Sequence, residues 1–120
     1  MIIRTAMALL FGLATAASAQ EETQIASGAV LRGLDKMSGD VVDIELASGS
    51  TAQFHRLNIT LTECRYPVGN PAGNAYAGVE ISEVGRDGVV FSGWMIASAP
   101  ALSAMEHARY DVWVMRCTIS

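Results

Sequence analysis

Phe91 to Cys117 reads FSGWMIASAPALSAMEHARYDVWVMRC, and the changes of period within and around this stretch decide the fold. Val89 to Ile96 reads as a strand. Around Ser98 to His107 the period lengthens: Pro100 suits a first helical position, and Leu102 with Met105 make an i, i+3 apolar pair, which predicts one short α-helix. Tyr110 to Ile119 then returns to strand, rich in β-branched and aromatic residues. On that last strand Trp113, Met115 and Cys117 alternate onto one face, which places the cysteine beside an indole. Trp94 and Trp113 read most simply as core aromatics on neighbouring strands.

Working outward, Ala75 to Val84 is the preceding strand, with Val79 and Ile81 on one face and Gly85-Arg86-Asp87-Gly88 as its turn. Pro67 to Asn74, PVGNPAGN, is a loop by composition. Leu57, Ile59 and Leu61 share a strand face that runs on to Cys64 and Tyr66. Strict alternation puts Cys64 on the opposite, threonine-bearing side. Either both faces are covered there or a further irregularity turns it inward. A slip of phase near Leu57-Asn58 predicts a bulge or tight bend. Val41 to Leu46 alternates cleanly, with Val42, Ile44 and Leu46 against Asp43 and Glu45, and Ala52 to Arg56 is expected to pair back on it across Ala47-Ser48-Gly49-Ser50 as a β-hairpin. Ala29 to Leu34 is a first strand ending in the turn Asp35 to Asp40, and Gln20 to Ser27 reads as a loose polar leader to the domain. Short strands at this spacing, broken by turn signals, predict a mainly β fold: a small antiparallel β-sandwich or barrel with one short α-helix.

The N-terminus carries a different signal. Arg4, an apolar run over Ala6 to Ala16 and the small-x-small site Ala17-Ser18-Ala19 read as a secretory leader over residues 1–19. The run is too short for a membrane span, which needs about 20 apolar residues, so the expectation is a soluble periplasmic chain from Gln20 onward, residues 20–120 forming one domain. Without Arg4 the 8 basic residues fall to 7 against 12 acidic ones, a net of −5. An acidic domain without a basic stripe excludes nucleic acid as an expected ligand. Two cysteines in an exported chain predict one disulfide, Cys64 to Cys117, rather than a metal site, which would need further ligands close by.

The Phe91–Cys117 stretch, together with Leu34-Asp35-Lys36-x-Ser38-Gly39, Cys64-Arg65-Tyr66-Pro67 and Asn70-Pro71-Ala72-Gly73, resembles the DUF2155 family of uncharacterised exported alphaproteobacterial proteins. The likeness covers nearly all of the chain after the leader and departs at Ala108, where proline is expected after the histidine. It implies an exported, one-domain envelope protein with a cysteine pair, and it supplies no reaction and no cofactor.

Several residues carry chemistry that can be weighed in advance. Ser103, His107 and Asp111 have the types of a nucleophile, base and orienter, with Ser103 and His107 one helical turn apart. No G-x-S-x-G elbow accompanies them, and the plainer reading is a helix ending in a histidine that meets the helix dipole. His55, His107 and Asp111 are too scattered to read as metal ligands. Trp94 and Trp113 could instead form an aromatic platform for a glycan or partner, and a carbohydrate-binding module would use Trp94, Trp113 or Tyr110. Lys36 in its turn, and Arg65, Tyr66 and Asn70 beside the Pro-rich loop, are the other binding candidates, because loops at sandwich ends often carry function. The reading that results is a non-catalytic periplasmic accessory domain, a protein-interaction module or subunit at the periplasmic face of an envelope complex such as a respiratory one. A carbohydrate- or peptidoglycan-binding module is the alternative and a small hydrolase the third; no cofactor or metal is expected, and the oligomeric state is open.

Overall fold

The computed structural model describes residues 22–120, so the leader expected over 1–19 lies outside the described residues. The strands are β1 Thr23–Ile25, β2 Gly28–Asp35, β3 Val41–Ala47, β4 Thr51–Phe54, β5 Leu57–Pro67, β6 Tyr76–Glu83, β7 Val89–Ile96 and β8 Tyr110–Thr118. All pairings are antiparallel. They form a five-stranded sheet, in which β1 and β4 both line β5 and β6 and β7 follow, and a three-stranded sheet ordered β3-β2-β8. The inward faces, among them Leu31, Ile59, Leu61, Ile81 and Val114, pack into one apolar core. Neither sheet closes on itself, so the architecture is the sandwich and not the barrel.

Three local expectations change. Residues 23–25 are no loose leader: Thr23–Ile25 pairs with Pro67, Tyr66 and Arg65, and Ala26 is buried. The helix expected over Ser98–His107 is a single 3-10 turn, Pro100–Ser103, preceded by Ala99, which has no side chain to cap it, and followed by extended backbone at Ala104. Met105 is buried there while Leu102 is 76% exposed, so the i, i+3 pair does not form. The expected β3–β4 hairpin is also replaced. β3 pairs with β2 through the turn over 36–40, and β4 pairs with β5 through the tight turn His55-Arg56, where His55 takes a left-handed φ of 49°. Residues 48–50 instead carry the chain between sheets, held by Ser48 N–H to the Ser27 carbonyl and Gly49 N–H to the Leu61 carbonyl. Alternation identifies a strand but not the edge it will pair with.

Two register shifts settle where the cysteines point. On β5 the pairing with β6 slips between Leu61 and Glu63, so Thr62 is the extra residue and Cys64 turns inward. On β8 the pairing with β2 slips between Val114 and Arg116, so Met115 is extra and Cys117 turns inward too, away from the face of Trp113. The disulfide Cys64–Cys117 then joins the two sheets through the core, with Cα atoms 5.7 Å apart. The expected contact between cystine and indole is therefore absent, because the bulge inverts the alternation between Trp113 and Cys117. The β5 bulge also sets a demand on its neighbour: a Cβ at Gly78 would collide with the Thr62 hydroxyl.

Candidate functional site

The polar chemistry of the molecule gathers at the end of the sandwich opposite the disulfide. Asp35 closes β2 with its side chain fully buried, the one buried charge among the described residues. Its carboxylate accepts the backbone N–H of Met37 at 3.0 Å, which shapes the turn, while Gly39 supplies the left-handed φ of 77°. Arg109 donates to both carboxylate oxygens, Nε to Oδ1 at 3.2 Å and Nη2 to Oδ2 at 2.9 Å. That guanidinium, aided by the turn N–H groups, holds the Asp35 carboxyl well below the usual carboxylate range against the opposing effect of desolvation. Lys36 completes the clamp, its backbone N–H donating to the Arg109 carbonyl at 2.8 Å and Nζ to the His107 carbonyl at 2.9 Å.

Both histidines belong to this end. His107 Nδ1 accepts the N–H groups of Arg109 and Tyr110 at 3.0 and 3.2 Å, so the ring proton sits on Nε2, 3.0 Å from Glu83 Oε2. Glu83 is held below the usual carboxylate range, first by that imidazole and then by Arg86. His55 Nε2 bonds Asp40 Oδ2 at 3.0 Å. Between the two imidazoles lies Tyr110, fully buried, with ring centroids 5.1 Å from His107 and 6.0 Å from His55 and the Arg109 guanidinium 5.1 Å from its own centroid. The Tyr110 hydroxyl has no hydrogen-bond partner among the described residues.

The catalytic triplet of the sequence does not assemble. Both nitrogens of His107 are engaged away from Ser103, whose hydroxyl has no bond to it, and Asp111 Oδ1 accepts the N–H of Val112 at 2.9 Å instead of orienting an imidazole. Among the described residues no helix reaches His107, so no helix dipole meets it there; the 3-10 turn ends at Ser103. Among the described residues no group of three or more His, Cys, Asp or Glu side chains could hold a metal ion. No helix of the described residues is long and apolar enough to cross a membrane.

The two tryptophans prove to be surface residues on opposite sheets. Trp94, 45% exposed, stands opposite the buried Met95 on β7 and lines a hollow of about 190 Å³ with Thr62, Gly78, Glu80 and Ser92. Trp113 alternates with the buried Val112 and Val114 on β8, on the outer face of the three-stranded sheet. With Pro100, Ala101, Ala104 and Asp111 it walls a mostly apolar groove of about 400 Å³. A single platform of Trp94, Trp113 and Tyr110 is therefore not formed, and Tyr110 and Tyr66 lie inside the core.

The loop candidates divide. Lys36 is a bridge within the fold. Arg65 Nε reaches Glu63 Oε1 at 3.3 Å on the outer face of the five-stranded sheet. Asn70 is exposed and turns the loop, its N–H donating to the Pro67 carbonyl at 2.9 Å. The residue that anchors this loop went unnoticed in the sequence: Asn74 accepts the N–H groups of Ala75 and Ser98, each at 3.0 Å, and donates to the Ser98 hydroxyl at 2.8 Å. Arg109 and Glu83 were missed as well. Asp35 and Arg109 are 74 positions apart, and nothing local marks them as partners.

The fold and its fastenings define a disulfide-linked antiparallel β-sandwich with a polar clamp at one end. The family described as "Uncharacterized protein conserved in bacteria (DUF2155)" matches residues 29–117, and the chain belongs to it. No curated protein and no solved structure matches the chain.

Proposed function

We propose that the chain is an exported, non-catalytic accessory domain of the cell envelope that docks a protein partner in the groove beside Trp113. The observation that carries this reading is the groove itself: mostly apolar walls from Pro100, Ala101, Ala104 and Trp113, with Asp111 as the one charged residue in its lining. An apolar side chain flanked by a cation on a partner suits that combination, since interface anchors fill pockets and charges at their margins orient them. The same 3-10 turn carries Leu102, 76% exposed, which extends the apolar surface. The engagement of both His107 nitrogens supports binding rather than catalysis, and the disulfide supports an oxidising compartment such as the periplasm.

Affinity capture from solubilised membranes tests the proposal with one charge placed in the groove. Ala104 is exposed, so Ala104→Glu should leave the melting temperature unchanged while burying an unpaired carboxylate when a partner docks. The expected result is recovery of a defined partner by the wild type and by Trp94→Ala, and at least about 10-fold less by Ala104→Glu. Equal recovery by Ala104→Glu would remove the groove as the docking site.

A further inference from the structure

We propose that the outer face of the five-stranded sheet carries a second, separate site, a subsite for one neutral pyranose ring of a glycan, centred on Trp94. The strand register lays out its composition. Thr51, Thr60, Glu80 and Ser92 lie in one cross-strand row over β4, β5, β6 and β7, and Gln53, Asn58 and Ser82 lie in the next. On the other side of that row Trp94 stands opposite Gly78, and the far end of its indole, Cη2, comes within 3.6 Å of where a Cβ on Gly78 would be. Gly78 brings no side chain into the hollow beside the ring, and no larger residue fits there, because the Thr62 hydroxyl at the β5 bulge fills the space a Cβ would need.

The groups around the hollow suit a sugar better than other small ligands. Thr62 Oγ1 spends its proton on the Gly78 carbonyl at 2.9 Å and keeps lone pairs for a ligand. Glu80 is exposed, lines the hollow and forms no ion pair among the described residues, so its carboxylate is free to accept from a ligand. Ser92 adds a hydroxyl that donates or accepts. A half-exposed indole that shares its hollow with hydroxyls and a carboxylate suits the C–H face and the hydroxyl donors of a pyranose. The lone carboxylate disfavours phosphates and acidic sugars. At about 190 Å³ the hollow has room for a single ring and is smaller than the usual site of a drug-sized ligand.

Trp113→Phe leaves Trp94 as the sole indole, so its emission reports on this site alone. The variant is titrated with neutral tetrasaccharides (the N-acetylglucosamine tetramer, cellotetraose, maltotetraose) and with an oligogalacturonate as the acidic counterpart. The expected result is a saturable shift of Trp94 emission with at least one neutral tetramer below about 10 mM and none with the acidic one. Calorimetry with that tetramer should then show about 10-fold weaker binding for Trp94→Ala and a smaller loss for Glu80→Gln, both with unchanged melting temperature. No response to any neutral tetramer, or equal binding by Trp94→Ala, overturns the proposal. Partner capture through the Trp113 groove is read separately, so either site can fail without the other.

Discussion

At one end of the β2–β8 pair, where Ala29 lies opposite Cys117, a disulfide crosses from the three-stranded sheet into the five-stranded one. At the other end, where Asp35 lies opposite Tyr110, the crossing is made by a hydrogen bond from His107 to Glu83 and by His55 reaching Asp40, around the Asp35–Arg109 ion pair. The two fastenings differ in kind. The disulfide acts largely on the unfolded chain, by limiting its conformations, and its contribution is indifferent to moderate changes of pH. The polar end acts on the folded state alone. It depends on every charge having its partner, because a buried carboxylate stripped of its guanidinium has neither water nor a counter-ion.

Removing the covalent end should have the largest effect. The Cys64→Ala, Cys117→Ala double variant opens a closure spanning 53 positions and should lose about 4 kcal/mol of unfolding free energy in urea titration. For a domain of this size that is a large part of the total. An unchanged urea midpoint would mean that the polar end suffices and that the comparison is lopsided the other way.

Arg109→Met comes next. It strands the Asp35 carboxylate, and the melting temperature should drop by roughly 10 °C at neutral pH. The acid response separates the two ends. Asp35 and Glu83 both have folded-state pKa values below the unfolded ones, so their contribution is complete above the ordinary carboxylate range of about 4 and is lost as pH falls through and below it. Wild type should therefore melt progressively lower from about pH 5 down to pH 2, and the cysteine double variant should keep that slope. Arg109→Met should flatten it. An identical acid slope in Arg109→Met would show that the pair with Asp35 is not its source.

The smallest expected change sits between the two imidazoles. Tyr110→Phe removes a buried hydroxyl that has no partner among the described residues and keeps the ring against Phe54, His55 and His107. Thermal and urea unfolding should show a change within about 0.5 kcal/mol, or a slight gain. A loss of 2 kcal/mol or more would reveal that the hydroxyl is satisfied after all, and that the polar network is larger than its ion pairs.

Much of this was legible in the chain itself. Alternation, composition and turn signals together located every strand from β2 to β8, the Asp35–Asp40 and Pro67–Asn74 segments announced their turns, and the two cysteines named each other. Both tryptophans were marked as candidate binders. Their place on the outer faces was not, because a large aromatic on an alternating strand reads the same whether its face is covered or bare. Tertiary structure alone decided the rest. A strand's hydrogen-bonding edges carry no address, so β3 and β4, adjacent and each alternating, went to different sheets. A bulge adds one residue without a sequence mark, so Thr62 and Met115 turned the cysteines inward where strict counting set Cys64 on the threonine side and Cys117 on the face of Trp113. Asp35 and Arg109 read as ordinary turn and linker charges until the fold buried one against the other, because a contact between distant positions is a property of the packed sheets and of neither local stretch.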